Sequence, residues 1–224
     1  MTAKFRDRTE AGKMLAQKLI TYTNRKDGLV MALPRGGVPV GYEVAKKLNI
    51  PLDICIVRKL GVPGHKELAM GAIASGGVRI LNYDVVSWLN ISSGTIDEVA
   101  THELRELQRR DQVYRGDRSP PDVRNKTIIL VDDGIATGST IRAAIAILQQ
   151  QQPRRIVIAT PVAPLTVCQE LQALVDEVVR LSMPEPFYAI GLWYDNFAQT
   201  TDAEVRELLD KSNHRFNKPQ TITR

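Results

Sequence analysis

Cysteine is scarce in this chain. Only Cys55 and Cys168 occur among 224 residues, too few for a disulfide framework or a four-thiolate zinc site. The three histidines, His65, His102 and His214, are scattered, and none stands at a zinc-ligand spacing from another. No apolar run approaches the ~20 residues that a membrane-spanning helix requires. The charged N-terminus, MTAKFRDRTEAGKML, lacks an apolar stretch leading to a small-residue cleavage site, so no secretory signal is expected. Internal repeats, Gly/Ser linkers and a G-x-S-x-G hydrolase elbow are also missing. These absences predict a cytoplasmic protein with no membrane partner.

The rest of the composition is that of a folded chain. Hydrophobic residues make up 43% and charged residues 25%, which excludes a disordered polymer. The length fits a single domain, 1–224, since domains run ~100–200 residues. Thirty Lys and Arg against twenty-five Asp and Glu give a net charge of +5. That balance suits an anionic partner, either a phosphorylated small molecule or nucleic acid.

Apolar strands alternate with amphipathic helices. Residues 8–22 carry Ala11, Leu15, Leu19 and Tyr22 on one helical stripe. LVMAL (29–33) reads as a buried strand ending in Pro34-Arg35-Gly36-Gly37, with a helix from about Pro39 to Leu48. LDICIV (52–57) reads as a second buried strand. Residues 58–70, with two Gly and one Pro among charges, read as a mobile loop. Residues 71–86 suggest two short strands around a Gly-Gly turn. A helix is expected over 96–115, with Ile96, Val99, Leu104 and Leu107 inward. TIILV (127–131) is the clearest strand, RIVIAT (155–160) and EVVRL (177–181) are others, and helices are expected near 140–151, 165–174 and 202–209. The pattern predicts an α/β fold, an open parallel sheet flanked by helices. Its core is expected at about 28–182, with a small hood from 1–27 and 183–224. Ligands in such sheets bind beyond the carboxyl ends of strands.

One segment concentrates chemistry. In IILVDDGIATGST (128–140) a buried strand ends in Asp132 and Asp133, followed by a small-residue loop and a helix. Gly134, Ala136 and Gly138 leave the loop amides bare, and Thr137, Ser139 and Thr140 add hydroxyls. Amides at a helix start form an anion site, strengthened by the helix dipole. A nucleotide-hydrolysing P-loop needs G-x-x-x-x-G-K-[ST]; here the glycines stand one residue too close, and Ser139 occupies the Lys position. Two acceptor-only acids beside a phosphate cradle suit vicinal hydroxyls, as on a ribose whose 5-phosphate sits in the loop.

This segment resembles the phosphoribosyl pyrophosphate motif of the type I phosphoribosyltransferases: four apolar residues, two acids, then a Thr-Gly-Ser/Thr loop. The resemblance implies that Asp132 and Asp133 bind the ribose hydroxyls, and that Gly134, Ala136, Thr137, Gly138, Ser139 and Thr140 take the 5-phosphate. It implies a pyrophosphate loop at Arg35, Gly36 and Gly37. It also implies a flexible loop with basic residues acting on the leaving group: Arg58 and Lys59 first, then Lys66, with His65 last. FYAIGLWYDNF (187–197) is similar to the base-facing segment of the hypoxanthine-guanine members. On that likeness Phe187, Tyr188, Ala189 and Trp193 face the acceptor, and Asp195 lies near a pyrophosphate-bound Mg²⁺. Mg²⁺ is the implied cofactor and a homodimer the implied assembly.

Two departures bear on the acceptor. The 6-oxopurine enzymes carry an Asp where this chain has Ala136, and a Lys after the next strand, where this chain reads ATPVAPL (159–165). The acceptor is thus left open, a nucleobase or another nitrogen nucleophile. A non-catalytic phosphoribosyl pyrophosphate sensor, with RNA as its partner, is the alternative. The basic stretch 105–118 is interrupted by Glu and Asp and reads as a solvated helix face, so no nucleic-acid partner is expected.

Overall fold

The computed structural model describes residues 4–217, without the side chains of residues 66, 67 and 217. In chain order the elements are α1 (Arg8–Lys18), β1 (Gly28–Ala32), α2 (Gly37–Leu48), β2 (Leu52–Ile54), β3 (Val57–Val62), β4 (His65–Ala74) and β5 (Arg79–Leu81). They continue as α3 (Tyr83–Trp88), α4 (Ser93–Arg115), β6 (Thr127–Val131), α5 (Ser139–Gln150), β7 (Arg155–Val162), α6 (Leu165–Gln172), β8 (Glu177–Ser182) and α7 (Asp202–Asn217).

Five strands form a parallel sheet in the order β2-β1-β6-β7-β8. β1 and β6 are buried at every position, which is why they read as continuous apolar runs rather than alternating ones. Alternate residues feed opposite cores. Val30, Ala32, Ile129, Val131, Val157 and Ala159 join α1, α2, α4 and α7 on one face. Leu29, Met31, Ile128, Leu130, Ile156 and Ile158 join α5 and α6 on the other. The chain runs from β1 outward to β2 on one side and from β6 through β7 to β8 on the other. The switch point therefore lies between β1 and β6, and a crevice opens there in such sheets.

The expected α/β fold is present, with local corrections. LDICIV is not one strand: β2 ends at Ile54, and β3 starts a separate antiparallel sheet, β3-β4-β5. The stretch 58–70 is not an open loop but a hairpin, with Val57 opposite Ala74 and Val62 opposite His65. It turns at Pro63-Gly64, where Gly64 has φ +79°. Leu60 and Val62 are buried against α4 residues Ile96, Ala100 and Leu107. Each such side chain contributes about 1.5–3 kcal/mol, enough to outweigh the charges that suggest a loop. Residues 83–88 form α3, started by the Asn82 side chain accepting from Val85 N–H. The antiparallel sheet is the hood, and it lies within the stretch assigned above to the core. α1 packs on α2 and against β7 and β8.

Candidate functional site

Because β1 and β6 pair in register from Gly28–Thr127 to Ala32–Val131, the loops that follow them emerge side by side. Leu33 N–H still donates to Val131 O at 2.8 Å. The next turn then presses onto the acids. A Cβ on Gly36 would lie 2.0 Å from Asp133 Oδ2, and one on Gly37 would lie 2.8 Å from Val131 O and 3.1 Å from Asp132 Cα. Only glycine permits this approach. The Pro34–Arg35 peptide is cis.

A cavity of about 170 Å³ opens beyond β6, lined by Asp132, Gly134 to Ile141 and Ile190. Ala136, Thr137, Ser139 and Thr140 are exposed at its wall. Gly138 adopts φ +77° and caps α5. The first intrahelical bond runs from Arg142 N–H to Gly138 O at 2.9 Å. The amides before it have no partner four residues back, and the positive end of the helix dipole adds to them. Thr137 Oγ1 and Ser139 Oγ are 3.1 Å apart. Arg142 braces the loop from behind, donating to Thr137 O at 3.3 Å and pairing with Glu170. Such an arrangement can hold a phosphate by amides and hydroxyls, without a lysine.

The two acids differ. Asp132 lines the cavity, and its Oδ1 accepts from Asp133 N–H at 2.9 Å. Burial, and next the neighbouring Asp133 carboxylate, push the Asp132 carboxyl well above its ordinary pKa; the hydrogen bond from Asp133 N–H and the Arg8 charge oppose the shift. Asp133 is buried and turned aside. Its Oδ2 accepts from Arg8 Nε at 2.7 Å, and its carbonyl accepts from the Tyr194 hydroxyl at 2.6 Å. Burial, followed by the charge of Asp133, raises the Tyr194 hydroxyl pKa beyond its usual range, so it stays a donor.

The other expected residues are more dispersed. Arg35 is half-exposed and sits 3.6 Å from Asp202 at the start of α7. Arg58 pairs with Glu103 of α4 at 2.6 Å. Lys59 points to the opposite face of β3, the face on which Val57 packs against the α5 core. His65 is exposed, and the Lys66 side chain lies outside the described residues. Phe187 and Trp193 are half-buried, Ala189 is exposed, and Tyr188 is 79% exposed. None of these four is in the cavity wall. Asp195 is exposed and anchored through its N–H, to Phe5 O at 2.8 Å. Among the described residues no cluster of three or more His, Cys, Asp or Glu is arranged to hold a metal ion.

Three contributors escaped the sequence reading. Ile190 closes the cavity over Gly134, where a Cβ would meet Ile190 Cγ2 at 2.4 Å. Arg8 and Tyr194 both reach Asp133 from distant segments. An isolated Arg carries no motif, and Ile190, although it lies within the segment 187–197, gives no sign in sequence of meeting Gly134. Tyr194 belongs to the aromatic segment 187–197, but its ring packs on Phe5 and Phe197.

Comparison with known proteins agrees with this geometry. The family model "Phosphoribosyl transferase domain" matches residues 6–182. A Mycobacterium tuberculosis (H37Rv) protein named "Putative phosphoribosyl transferase Rv0571c" is 44% identical over 212 residues, covering 95% of this chain and 48% of that protein. The chain therefore spans about half the length of that curated relative. A crystal structure of TT1426 from Thermus thermophilus superposes with a TM-score of 0.85 at 37% identity, covering 93% of this chain and 99% of the other. More distantly, "Bifunctional protein PyrR" of Brevibacillus brevis is 27% identical over 137 residues, covering 54% of this chain and 76% of that protein. The open parallel sheet is that of TT1426, and the chain belongs to the phosphoribosyl transferases.

Proposed function

We propose that this chain is a Mg²⁺-dependent phosphoribosyltransferase that joins a nitrogen acceptor to the ribosyl carbon of phosphoribosyl pyrophosphate, releasing pyrophosphate. One observation carries the reading: Asp132 and the amide-lined loop 134–140 share one cavity. The loop holds the 5-phosphate by neutral dipoles. Asp132 accepts from the ribose hydroxyls and faces the cationic ring as the bond to pyrophosphate breaks. The Gly36-Gly37 turn lies against the acids, so its backbone and Arg35 suit the leaving pyrophosphate. Placed donors and cations of this kind stabilise charge that develops in the transition state. Lys59 on β3 supplies a further cation, and the Phe187–Trp193 segment meets the acceptor.

Mg²⁺ fits as an ion brought by the donor. The described residues offer no three-ligand set, but Asp195 is an exposed carboxylate able to complete a shell made mainly of phosphate oxygens. Once bound, the ion would neutralise charge on the departing pyrophosphate.

The partial similarity to PyrR proteins, with Arg35 and Arg58 already paired to acids, favours a second reading: a sensor that binds the donor without turnover. Pyrophosphate release decides between them, measured with donor, Mg²⁺ and a panel of nucleobases and simple amines. Release with any acceptor is the expected result. Tight donor binding with silence across the panel supports the sensor, and failure to bind the donor removes both readings.

A further inference from the structure

α1 sends one side chain into the acid pair. Arg8, its first residue, donates from Nε to Asp133 Oδ2 at 2.7 Å and from Nη1 to Ala198 O at 2.7 Å. Its guanidinium carbon lies 3.9 Å from the centre of the Phe197 ring. The side chains of Arg8 and Asp133 are only 12% and 11% exposed. Two segments distant in sequence, at Asp133 and at Phe197–Ala198, thus fix one guanidinium. Its orientation is set from below, because Asp7 caps α1 by accepting from Glu10 N–H at 2.8 Å.

Two adjacent carboxylates at the end of a buried strand repel each other, and one tends to take up a proton. A buried cation on one of them removes that pressure from the other. The groups around Asp132 are few. Asp133 stands beside it in the loop, and Arg8 approaches from α1. The turn after β1 presents Gly36 and Gly37, and the C-terminal segment presents the Tyr194 hydroxyl to Asp133 O.

We infer that Arg8 is a positioning residue of the sugar site: it neutralises Asp133 and holds it out of the cavity, leaving Asp132 as the carboxylate that takes the ribose hydroxyls. This inference rests on the reading of the cavity as a site for a phosphorylated pentose. It reassigns Asp133 from sugar ligand to electrostatic partner of Arg8.

The test is calorimetric titration of ribose 5-phosphate, from acidic to neutral pH, into wild type, Arg8→Lys, Arg8→Gln and the double variant Arg8→Gln/Asp133→Asn. Arg8→Gln should bind about tenfold more weakly at neutral pH, the loss of one charge-assisted bond. Its affinity should also fall away at higher pH than in wild type, because Asp132 keeps its proton longer. Arg8→Lys should recover part of the loss. The double variant should bind within about threefold of wild type, since no charge on Asp133 then needs a partner. Equal binding by Arg8→Gln and wild type would overturn the inference. So would a double variant that binds no better than Arg8→Gln, since Asp133 would then be gripping the sugar. Should Arg8→Gln fail to fold, the double variant decides alone, binding within that margin of wild type supporting the inference and weaker binding overturning it. A wild type that binds no ribose 5-phosphate overturns the site reading itself, whereas binding that ignores Arg8 overturns only this inference.

Discussion

Phosphate cradle and charged groups are built in opposite ways. Ala136, Thr137, Ser139 and Thr140 lie exposed at the cavity wall. The charges nearby are held in pairs: Arg8 with Asp133, Arg35 with Asp202, Arg58 with Glu103, Arg142 with Glu170. Neutral dipoles can wait in water at little cost, whereas a charge taken out of water must be matched. A phosphate can therefore dock on the β6 loop without rearrangement. On the function proposed above, a pyrophosphate arriving at the β1 turn must compete for Arg35. That competition is mild, because Arg35 and Asp202 are 37% and 42% exposed and such surface pairs contribute ~0–1 kcal/mol.

The sharpest break in this comparison is at Gly36. A methyl there would lie 2.0 Å from Asp133 Oδ2 and 3.1 Å from Arg8 Nε, and that buried pair has nowhere to go. Gly36→Ala should cost about 1–3 kcal/mol by chemical denaturation, the usual range for overpacking. It should lower pyrophosphate release by roughly a hundredfold, as misplacements near 1 Å do. The β6 loop offers a control. A methyl on Gly138 meets the mobile end of Arg142 at 2.4 Å, so Gly138→Ala should cost chiefly the backbone strain of its positive φ, about 1–2 kcal/mol.

Asp132→Asn comes next and should separate binding from stability. Losing the charged acceptor should weaken sugar binding about tenfold or more. Stability should move the other way. The folded Asp132 carboxyl titrates above its ordinary value of 3.8, so the native state holds this proton more tightly than the unfolded chain. That contribution is fully present below the unfolded value and is lost as pH rises through the folded one. Asparagine carries no such penalty. Tm of Asp132→Asn should therefore exceed wild type at neutral pH, and the gap should close in acid. A Tm gap that does not change with pH would mean that Asp132 is not held under this electrostatic pressure.

These residues also mark how far the sequence could be read. β6 was legible because every side chain of TIILV is buried, and its loop because two acids followed by bare glycines make poor structural sense without a ligand. The β3-β4 hairpin was hidden by its own composition. Arg58, Lys59 and His65 read as loop, while the buried alternation of Leu60 and Val62 is too short to stand out. Arg8, and the contact of Ile190 with Gly134, were illegible for a different reason. Each reaches the site by tertiary packing, across 125 residues from Arg8 to Asp133, and no local pattern encodes that meeting. The acid pair looked like two equivalent ligands because sequence shows adjacency and not direction.

The smallest expected effect lies in the hairpin and tests which face of β3 serves the site. Arg58 and Lys59 are neighbours in sequence but occupy opposite faces of β3. Arg58 shares the face of Leu60 and meets Glu103 of α4. Lys59 shares the face of Val57, which packs toward α5, and α5 begins at the phosphate cradle. If the leaving group is served from β3, geometry favours Lys59. Lys59→Ala should lower pyrophosphate release about tenfold with ribose 5-phosphate affinity unchanged, because pyrophosphate is absent from that ligand. Arg58→Ala should leave release within about twofold and cost ~0–1 kcal/mol of stability, the ordinary worth of a partly exposed pair. The reverse ranking would require Arg58 to leave Glu103 during the reaction, and Glu103→Gln would then speed release rather than leave it untouched.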